Sequence, residues 1–224
     1  MSELSSTKAP ALPIASSEYA KSYQDRYSNI LRLYFNQIDN MTGVVLGDDG
    51  GRYFQNPHIS ASGTTDQYAA GDNTPTLVLF NTLESSSGFT LNISGTATAA
   101  YTGLYKIDFS LQFVNTDNVS HDAFVWLQTN GTVVPDSSSR FTIPARKSAD
   151  AFGYVVGYSS ITFEISDADE IKLYWATEKA YNPVGPVNGV YMDSLPAQTS
   201  PYVRPANPSA IGSITFLSRL PPTP

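Results

Sequence analysis

The sequence predicts a mainly β protein, in which an N-terminal arm and one long amphipathic α-helix precede an antiparallel jelly-roll β-sandwich. Polar and apolar residues alternate in many short segments after residue 53, and an alternation of period two is typical of half-buried strands. No helical pattern separates these segments, which favours a sandwich or barrel, and a jelly roll closes such a fold with few exposed edges. We therefore divide the chain into residues 1–52, with arm, helix and hinge, and residues 53–224, a β domain called the knob.

The composition limits the classes of function. Of the 224 residues, 41% are hydrophobic, 15% are charged and none is Cys, so the chain can bury a core but has no disulfide or thiolate chemistry. The net charge is −7 and the 13 basic residues are scattered, whereas nucleic-acid binding requires clustered positive charge. No apolar stretch approaches the roughly 20 residues of a membrane span. No signal peptide is recognisable, so we expect synthesis in a cytoplasm.

The first 15 residues are small, Pro-containing and without pattern, and they cannot form a core of their own. Two interpretations stay open: a disordered terminus, or an arm that becomes ordered against a partner. In the second case Leu12 and Ile14, which flank Pro13, are the expected anchors.

A helix is predicted over residues 17–41. Ser16 or Ser17 can cap its N-terminus, and Gly43 is expected to end it. Apolar and aromatic residues recur at helical spacing and form one stripe, which consists of Tyr19, Tyr23, Tyr27, Ile30, Tyr34, Ile38 and Met41. A helix with so much apolar surface requires a partner, which can be its own sheet, sister helices or a larger assembly.

Period-two segments continue through the knob. The predicted strands are residues 76–83, 89–93, 104–113, 124–128, 141–145, 152–158, 161–165, 171–176 and 211–217. In the clearest of them one set of alternating residues is apolar and is expected to face the core: Tyr105, Ile107, Phe109, Leu111 and Phe113. Asn130-Gly131 is the strongest short hairpin signal in the chain.

Residues that could carry chemistry are few and stand in contexts typical of turns. The acidic residues at 48–51 lie in a Gly-rich hinge without the ligand spacing of a calcium loop. Glycan hydrolysis needs two carboxylates held about 5–10 Å apart, but the acidic residues at 167–170 belong to one turn. His58 and His121 have no nucleophile motif beside them. We expect no enzymatic activity, no catalytic residue, no metal site and no cofactor.

Aromatic side chains are the remaining candidates for recognition, because their ring faces can stack on sugars. Trp126 and Trp175 both lie in the middle of predicted strands, which favours core or trimer packing. The Pro-rich stretch at residues 182–208 is longer than an ordinary loop, and long ordered loops are often functional. We predict an exposed recognition surface in and beside this stretch, formed by Tyr181, Tyr191 and Tyr202.

Residues 76–134 resemble the globular heads of the tumour necrosis factor and complement superfamily. The matching motifs, in chain order, are Phe80-Asn81, Gly88-Phe89, Gly103-Leu104-Tyr105, Val125-Trp126-Leu127 and Asn130-Gly131. The acidic turn at residues 166–173 is similar to the turn that leads into the penultimate strands of that fold. The resemblance implies a jelly roll and a homotrimer whose copies pack around a threefold axis through aromatic faces.

Residues 27–40, YSNILRLYFNQIDN, resemble an N-terminal segment of small structural proteins of tailed phages, especially cyanophages. The motifs QTSP at 198–201, RP at 204–205 and PS at 208–209 are also similar to such virion proteins. The resemblance implies localisation in a virion, with the helix docking the chain on other capsid, tail or baseplate proteins or contributing to the trimer. The sequence has no repeated shaft, which favours a short fibre or a capsid-bound knob over a long fibre.

The leading hypothesis is a non-enzymatic phage virion protein: a homotrimeric short tail or baseplate fibre, attached by its N-terminal part, whose knob projects towards the host surface. One alternative is a capsid decoration (cement) protein that stabilises the head. A further alternative is a carbohydrate-binding module or a glycan hydrolase. The expected partners are copies of the chain and other virion proteins, with a host-surface glycan as a further candidate, and neither nucleic-acid binding nor membrane insertion is expected.

Overall fold

The structure is a computed structural model, and it describes residues 10–12, 20–46, 56–185 and 188–219. The chain divides into two units, Met1–Asn56 and Pro57–Pro224, and each is described by itself. Several predicted features lie outside the described residues: the arm anchor Ile14, the stripe residue Tyr19, the hinge at 48–51 and the boundary between residues 52 and 53.

In the first unit, the helix α1 spans Lys21–Leu46. The backbone N–H groups of Tyr23 and Gln24 donate to the carbonyl of Ala20 at 3.1 and 3.2 Å, so α1 begins later than the predicted residue 17. The prediction that Gly43 ends the helix is wrong, because α1 continues through this residue. A single Gly inside a helix costs only about 1 kcal/mol relative to Ala, which the hydrogen bonds of the continuing turns offset.

The predicted apolar stripe runs along α1. Its described members are half-buried, and they are Tyr23, Tyr27, Ile30, Tyr34, Ile38 and Met41. The rings of Tyr23 and Tyr27, one turn apart, stack with their centroids 6.3 Å from each other. The arm residue Leu12 is exposed. No helix in the described ranges is both long and apolar enough to cross a membrane. The docking role of the stripe and of Leu12 stays a prediction.

The second unit, for which we keep the name knob, consists of short and long strands. In chain order the strands are β1 His58–Gly63, β2 Gln67–Tyr68, β3 Thr76–Leu77, β4 Thr82–Ser87, β5 Phe89–Leu91, β6 Ala97–Ala99, β7 Gly103–Asn115, β8 His121–Thr129, β9 Thr132–Val133, β10 Ser139–Ile143, β11 Gly153–Ile165, β12 Glu170–Thr177, β13 Val190–Met192 and β14 Ala210–Ser218.

Two antiparallel sheets are built from these strands. The first has the order β4–β1–β14–β7–β11, and β13 and β2 extend it beyond the end of β14. The second has the order β5–β6–β12–β8–β10, with β3 beside β12 and β9 beside β8. The chain passes between the sheets from β7 to β8, from β10 to β11, and again before and after β12. Such crossing connections define a jelly-roll sandwich, so the predicted mainly β fold is confirmed.

The core lies between the two sheets. All five predicted core residues of β7, from Tyr105 to Phe113, are buried. From the opposite sheet, Trp175 is fully buried and its ring lies 5.9 Å from that of Phe113. Burial of large side chains of this kind contributes roughly 1.5–3 kcal/mol each and dominates the stability of the knob.

The predicted hairpin at Asn130-Gly131 is confirmed. These residues join β8 to β9 and have φ angles of 52° and 79°. Positive φ at both central positions is the conformation of a type I′ turn, which Asn-Gly favours.

Two strand predictions require correction. The segments 152–158 and 161–165 form the single strand β11, because β7 pairs with it from Gly153 to Ile165 without a break. Residues 76–83 do not form one strand. The Gln67 side chain donates to the carbonyl of Leu79 at 3.0 Å and accepts from its N–H at 2.7 Å, which replaces a strand partner there.

Candidate self-association and recognition surfaces

One exposed surface of the knob is the outer side of β11. Tyr154, Val156 and Tyr158 alternate along this strand and are 61%, 58% and 59% exposed. Their neighbours Val155 and Gly157 lie on the opposite, inward side of the strand. The register of β11 on β7 therefore determines which side chains of β11 are exposed. Contiguous exposed apolar surface in a folded domain marks an interaction site.

This surface continues across the first sheet. Tyr158 lies opposite Ser110 of β7, which in turn lies opposite the exposed Ile211 of β14. At the end of the sheet, Val114 lies between Tyr154 of β11 and Tyr191 of β13. Val114 itself is only 1% exposed, so we call Tyr154, Val156, Tyr158 and Ile211 the aromatic face.

A charged group fixes one end of the aromatic face. The Tyr158 hydroxyl donates to Asp108 at 3.0 Å, and the Lys106 ammonium lies 2.9 Å from the same carboxylate oxygen. Partial burial raises the pKa of Asp108, but hydrogen bonds from Lys106, Ser160 and Tyr158 outweigh this effect, and the pKa is lowered. The carboxylate therefore stays ionised and holds the Tyr158 ring in place.

A second surface is a cluster of three tyrosines beside the aromatic face. The ring of Tyr181 lies 4.9 Å from that of Tyr191, and Tyr68 lies 5.6 Å from both. The structure thus brings together two of the three predicted recognition residues. Tyr202 is exposed, but no ring contact joins it to the other described aromatics. Tyr68 was missed because β2 is only two residues long and pairs with β13 across a long stretch of sequence.

Two carboxylates border this tyrosine cluster. Asp66 accepts hydrogen bonds from the Tyr68 hydroxyl at 3.3 Å and from Ser194 N–H at 2.9 Å. Burial, and then the charge of Asp66, raise the pKa of Asp193, although a hydrogen bond with Tyr191 opposes the shift. Burial, followed by the charges of Asp193 and Asp66, also raises the pKa of the Tyr191 hydroxyl. The cluster is therefore a neutral aromatic surface with an acidic border.

The residues considered for catalysis occupy structural positions. His121 begins β8, and its Nε2 atom lies 2.9 Å from Asp117, whose pKa this hydrogen bond lowers. In the acidic turn, Asp169 accepts from Ser166 N–H and from the Asn130 side chain, both at 2.7 Å. Within the described residues, no group of three or more His, Cys, Asp or Glu side chains could hold a metal ion.

The two tryptophans have different positions. Trp175 lies in the core, which agrees with the favoured interpretation. Trp126 is half-exposed on the outer side of the second sheet, between the core residues Val125 and Leu127. It does not belong to the aromatic face, which lies on the first sheet, so neither core packing nor packing through that face accounts for it.

The fold of the chain is also found among solved structures. The chain is similar to the globular domain of zebrafish complement 1qA protein, with 13% identity and a TM-score of 0.41, over 74% of this chain and all of that one. No family model matches the sequence, and no curated protein matches it. The strand topology itself defines the class: a jelly-roll β-sandwich, here with an exposed aromatic face on one sheet.

Proposed function

We propose that this chain is a non-enzymatic structural protein of a tailed-phage virion, a homotrimeric short tail or baseplate fibre. Its N-terminal part attaches to the virion, and the knob projects towards the host surface. The observation that carries the proposal is the aromatic face, because three adjacent outward positions of β11 are large, apolar and well exposed. Homotrimers bury surfaces of this kind between their copies.

The N-terminal part supports the attachment role. The helix α1 has apolar side chains on its stripe and exposes Leu33 and Phe35 on other sides. Apolar groups on several sides of one helix favour burial against more than one neighbour. The resemblance of residues 27–40 to phage virion proteins points to a virion as the site of that burial.

The first experiment measures the oligomeric state of the full chain. Light scattering is expected to give three times the chain mass of 24.3 kDa. The double substitution Tyr154→Glu and Val156→Glu places two charges at the centre of the proposed interface and is expected to yield folded monomers. Thr162→Glu, at an outward position of the same strand but at its polar end, serves as the matched control and should remain trimeric. A wild-type chain of monomer mass would overturn the trimer.

The second experiment locates the protein on intact phage particles by gold labelling of an epitope on the knob. Label confined to the tail tip or baseplate is the expected result. A regular lattice of label over the head would instead establish the decoration (cement) function, and particles without label would overturn both virion functions.

A further inference from the structure

An open groove of about 420 Å³ lies on the outer side of the second sheet, away from the aromatic face. We call it the Trp126 groove. Its floor and walls are Pro75, Trp126, Gln128 and the loop from Val133 to Ser138. Its volume lies within the roughly 300–1,000 Å³ typical of small-ligand sites.

The floor of the groove is aromatic. Trp126 of β8 lies directly opposite Tyr174 of β12, and their rings are parallel within 19°, with centroids 6.2 Å apart. Trp126 is only half-buried beside this ring and lines the groove, so part of its ring is accessible to a ligand. The negative face of an aromatic ring attracts the weakly positive C–H bonds on one face of a pyranose.

Polar groups surround this aromatic floor. The side chains of Gln128, Asp136 and Ser138 line the groove, and none of them has a hydrogen-bond partner among the described residues. Together they offer donors and acceptors, since an amide and a hydroxyl do both and a carboxylate accepts. Sugar hydroxyls, which also donate and accept, match this set.

The charge distribution selects a neutral ligand. No basic side chain is among the described residues that line the groove. The nearest cation in register, Lys172 opposite Gln128, is already paired with Glu170 at 2.7 Å. The remaining charge in the groove is the Asp136 carboxylate, which repels anions such as phosphate, sulfate or sialic acid.

The wall that carries Asp136 is held firmly in place. Ser137 is 2% exposed, and its hydroxyl donates to the Val134 carbonyl at 2.7 Å and accepts from Leu127 N–H at 3.1 Å. The Val134 N–H donates back to the Leu127 carbonyl at 3.0 Å. Asp136 itself has a φ angle of 57°, a left-handed conformation that costs energy for a residue with a side chain and recurs at ligand sites. The groove is therefore formed before a ligand arrives.

We propose that the Trp126 groove binds one neutral hexopyranose unit of a glycan, with the sugar ring stacked on Trp126. Gln128, Asp136 and Ser138 bind its hydroxyl groups. The inference deepens the proposed function, because it assigns the host-surface contact of the knob to a particular surface and ligand class. Sugar binding itself can be tested on the purified chain without any virion.

The test uses the full chain and a panel of methyl glycosides of glucose, galactose and mannose, with sialyllactose as the anionic comparison. A ligand of this size is expected to bind with a dissociation constant of about 1 mM. Saturation-transfer NMR should detect binding of at least one neutral glycoside. Because the other tryptophan is buried, a change in tryptophan fluorescence on binding would report on Trp126.

Trp126→Ala is expected to weaken binding at least about tenfold without lowering the unfolding temperature much. Phe124→Ala, an exposed aromatic on the same side of β8 but outside the groove, should bind like wild type. Binding that survives Trp126→Ala, tighter binding of sialyllactose, or no signal with any neutral glycoside would overturn the inference. If the chain is a trimer but binds no sugar, only the sugar-binding inference is overturned. If the chain is a monomer that binds sugar through Trp126, only the trimeric fibre is overturned.

Discussion

At the scale of single residues, Asp193 is an acidic group whose environment opposes its charge. Its carboxyl group is partly buried, lies near the Asp66 side chain, and has only the Tyr191 hydroxyl to offset these effects. Its pKa is therefore higher in the folded chain than in the unfolded chain, where it takes the ordinary value of 3.8. The folded state binds this proton more tightly, so ionisation of Asp193 weakens the fold as the pH rises above 3.8 through the raised pKa.

Asp193→Asn is accordingly expected to raise the unfolding temperature at pH 7, where Asp193 carries its charge. The gain should vanish below about pH 4, because the carboxyl group is then protonated in both states. Thermal unfolding of both proteins by circular dichroism at several pH values measures the effect. Asp150→Asn, at an exposed position, is the control and should change the unfolding temperature little. An equal gain at pH 7 and pH 4 would contradict the explanation.

At the scale of elements, the β8–β9 hairpin links local turn chemistry to the Trp126 groove. Gly131 has a φ angle of 79°, and a Cβ atom added there would meet no atom within 4 Å. Any cost of a side chain at this position is therefore conformational and not steric. The hairpin holds Val133, which forms part of the groove wall.

Gly131→Ala is expected to lower the free energy of unfolding by about 1–2 kcal/mol, because alanine disfavours the left-handed conformation. Urea denaturation measures the change, and Thr132→Ala, one residue further along the exposed hairpin, is the matched control. If the two variants lost equal stability, the turn conformation would not be the cause.

Elements with a clear alternation were predictable from the sequence, and the others depended on distant partners. In β7, outward and core residues alternate from Leu104 to Phe113, and only after this segment do the buried Val114 and Asn115 interrupt the pattern. The segment at 76–83 is equally apolar, but the Gln67 side chain forms hydrogen bonds with the backbone C=O and N–H groups of Leu79. These groups are therefore not available to a neighbouring strand. The strand β1 consists largely of small and polar residues and carried no such signal.

The candidate surfaces were predictable only in part, for a similar reason. Trp126 lies between Val125 and Leu127, and Trp175 lies between Tyr174 and Ala176, so polar and apolar residues do not alternate around either tryptophan. Pairing decides the outcome, because β12 meets β8 with Tyr174 opposite Trp126 and with Trp175 opposite Val125. A shift of β12 by one residue in this register would turn Trp175 outward and Tyr174 inward. The Pro-rich composition of residues 182–208 was enough to predict that Tyr181 and Tyr191 belong to one surface.

At the scale of the whole molecule, the buried core of the described residues lies in the knob alone. Every residue of the buried hydrophobic cluster, from Ile59 to Ile214, lies in the second unit. A chain of residues 57–224 is therefore expected to fold by itself, with an unfolding temperature close to that of the full chain and with its oligomeric state unchanged. Circular dichroism and light scattering of the truncated chain measure both properties. An unfolded or aggregated product would contradict this expectation.

The truncated chain also tests the role assigned to α1. A knob without residues 1–56 should no longer be incorporated when particles are assembled in its presence, whereas the full chain should be. Normal incorporation of the truncated chain would show that α1 is not the attachment element.

The position of β11 has a consequence for how the protein is made in a cell. Among the described residues this 13-residue strand pairs with β7 alone, so its other backbone edge is open next to the exposed rings of Tyr154 and Tyr158. An open edge of this kind is a template for pairing with any other unpaired strand. A newly synthesised chain can therefore associate either with folded copies of itself or with misfolded chains. Slow synthesis at low chain concentration favours the soluble product.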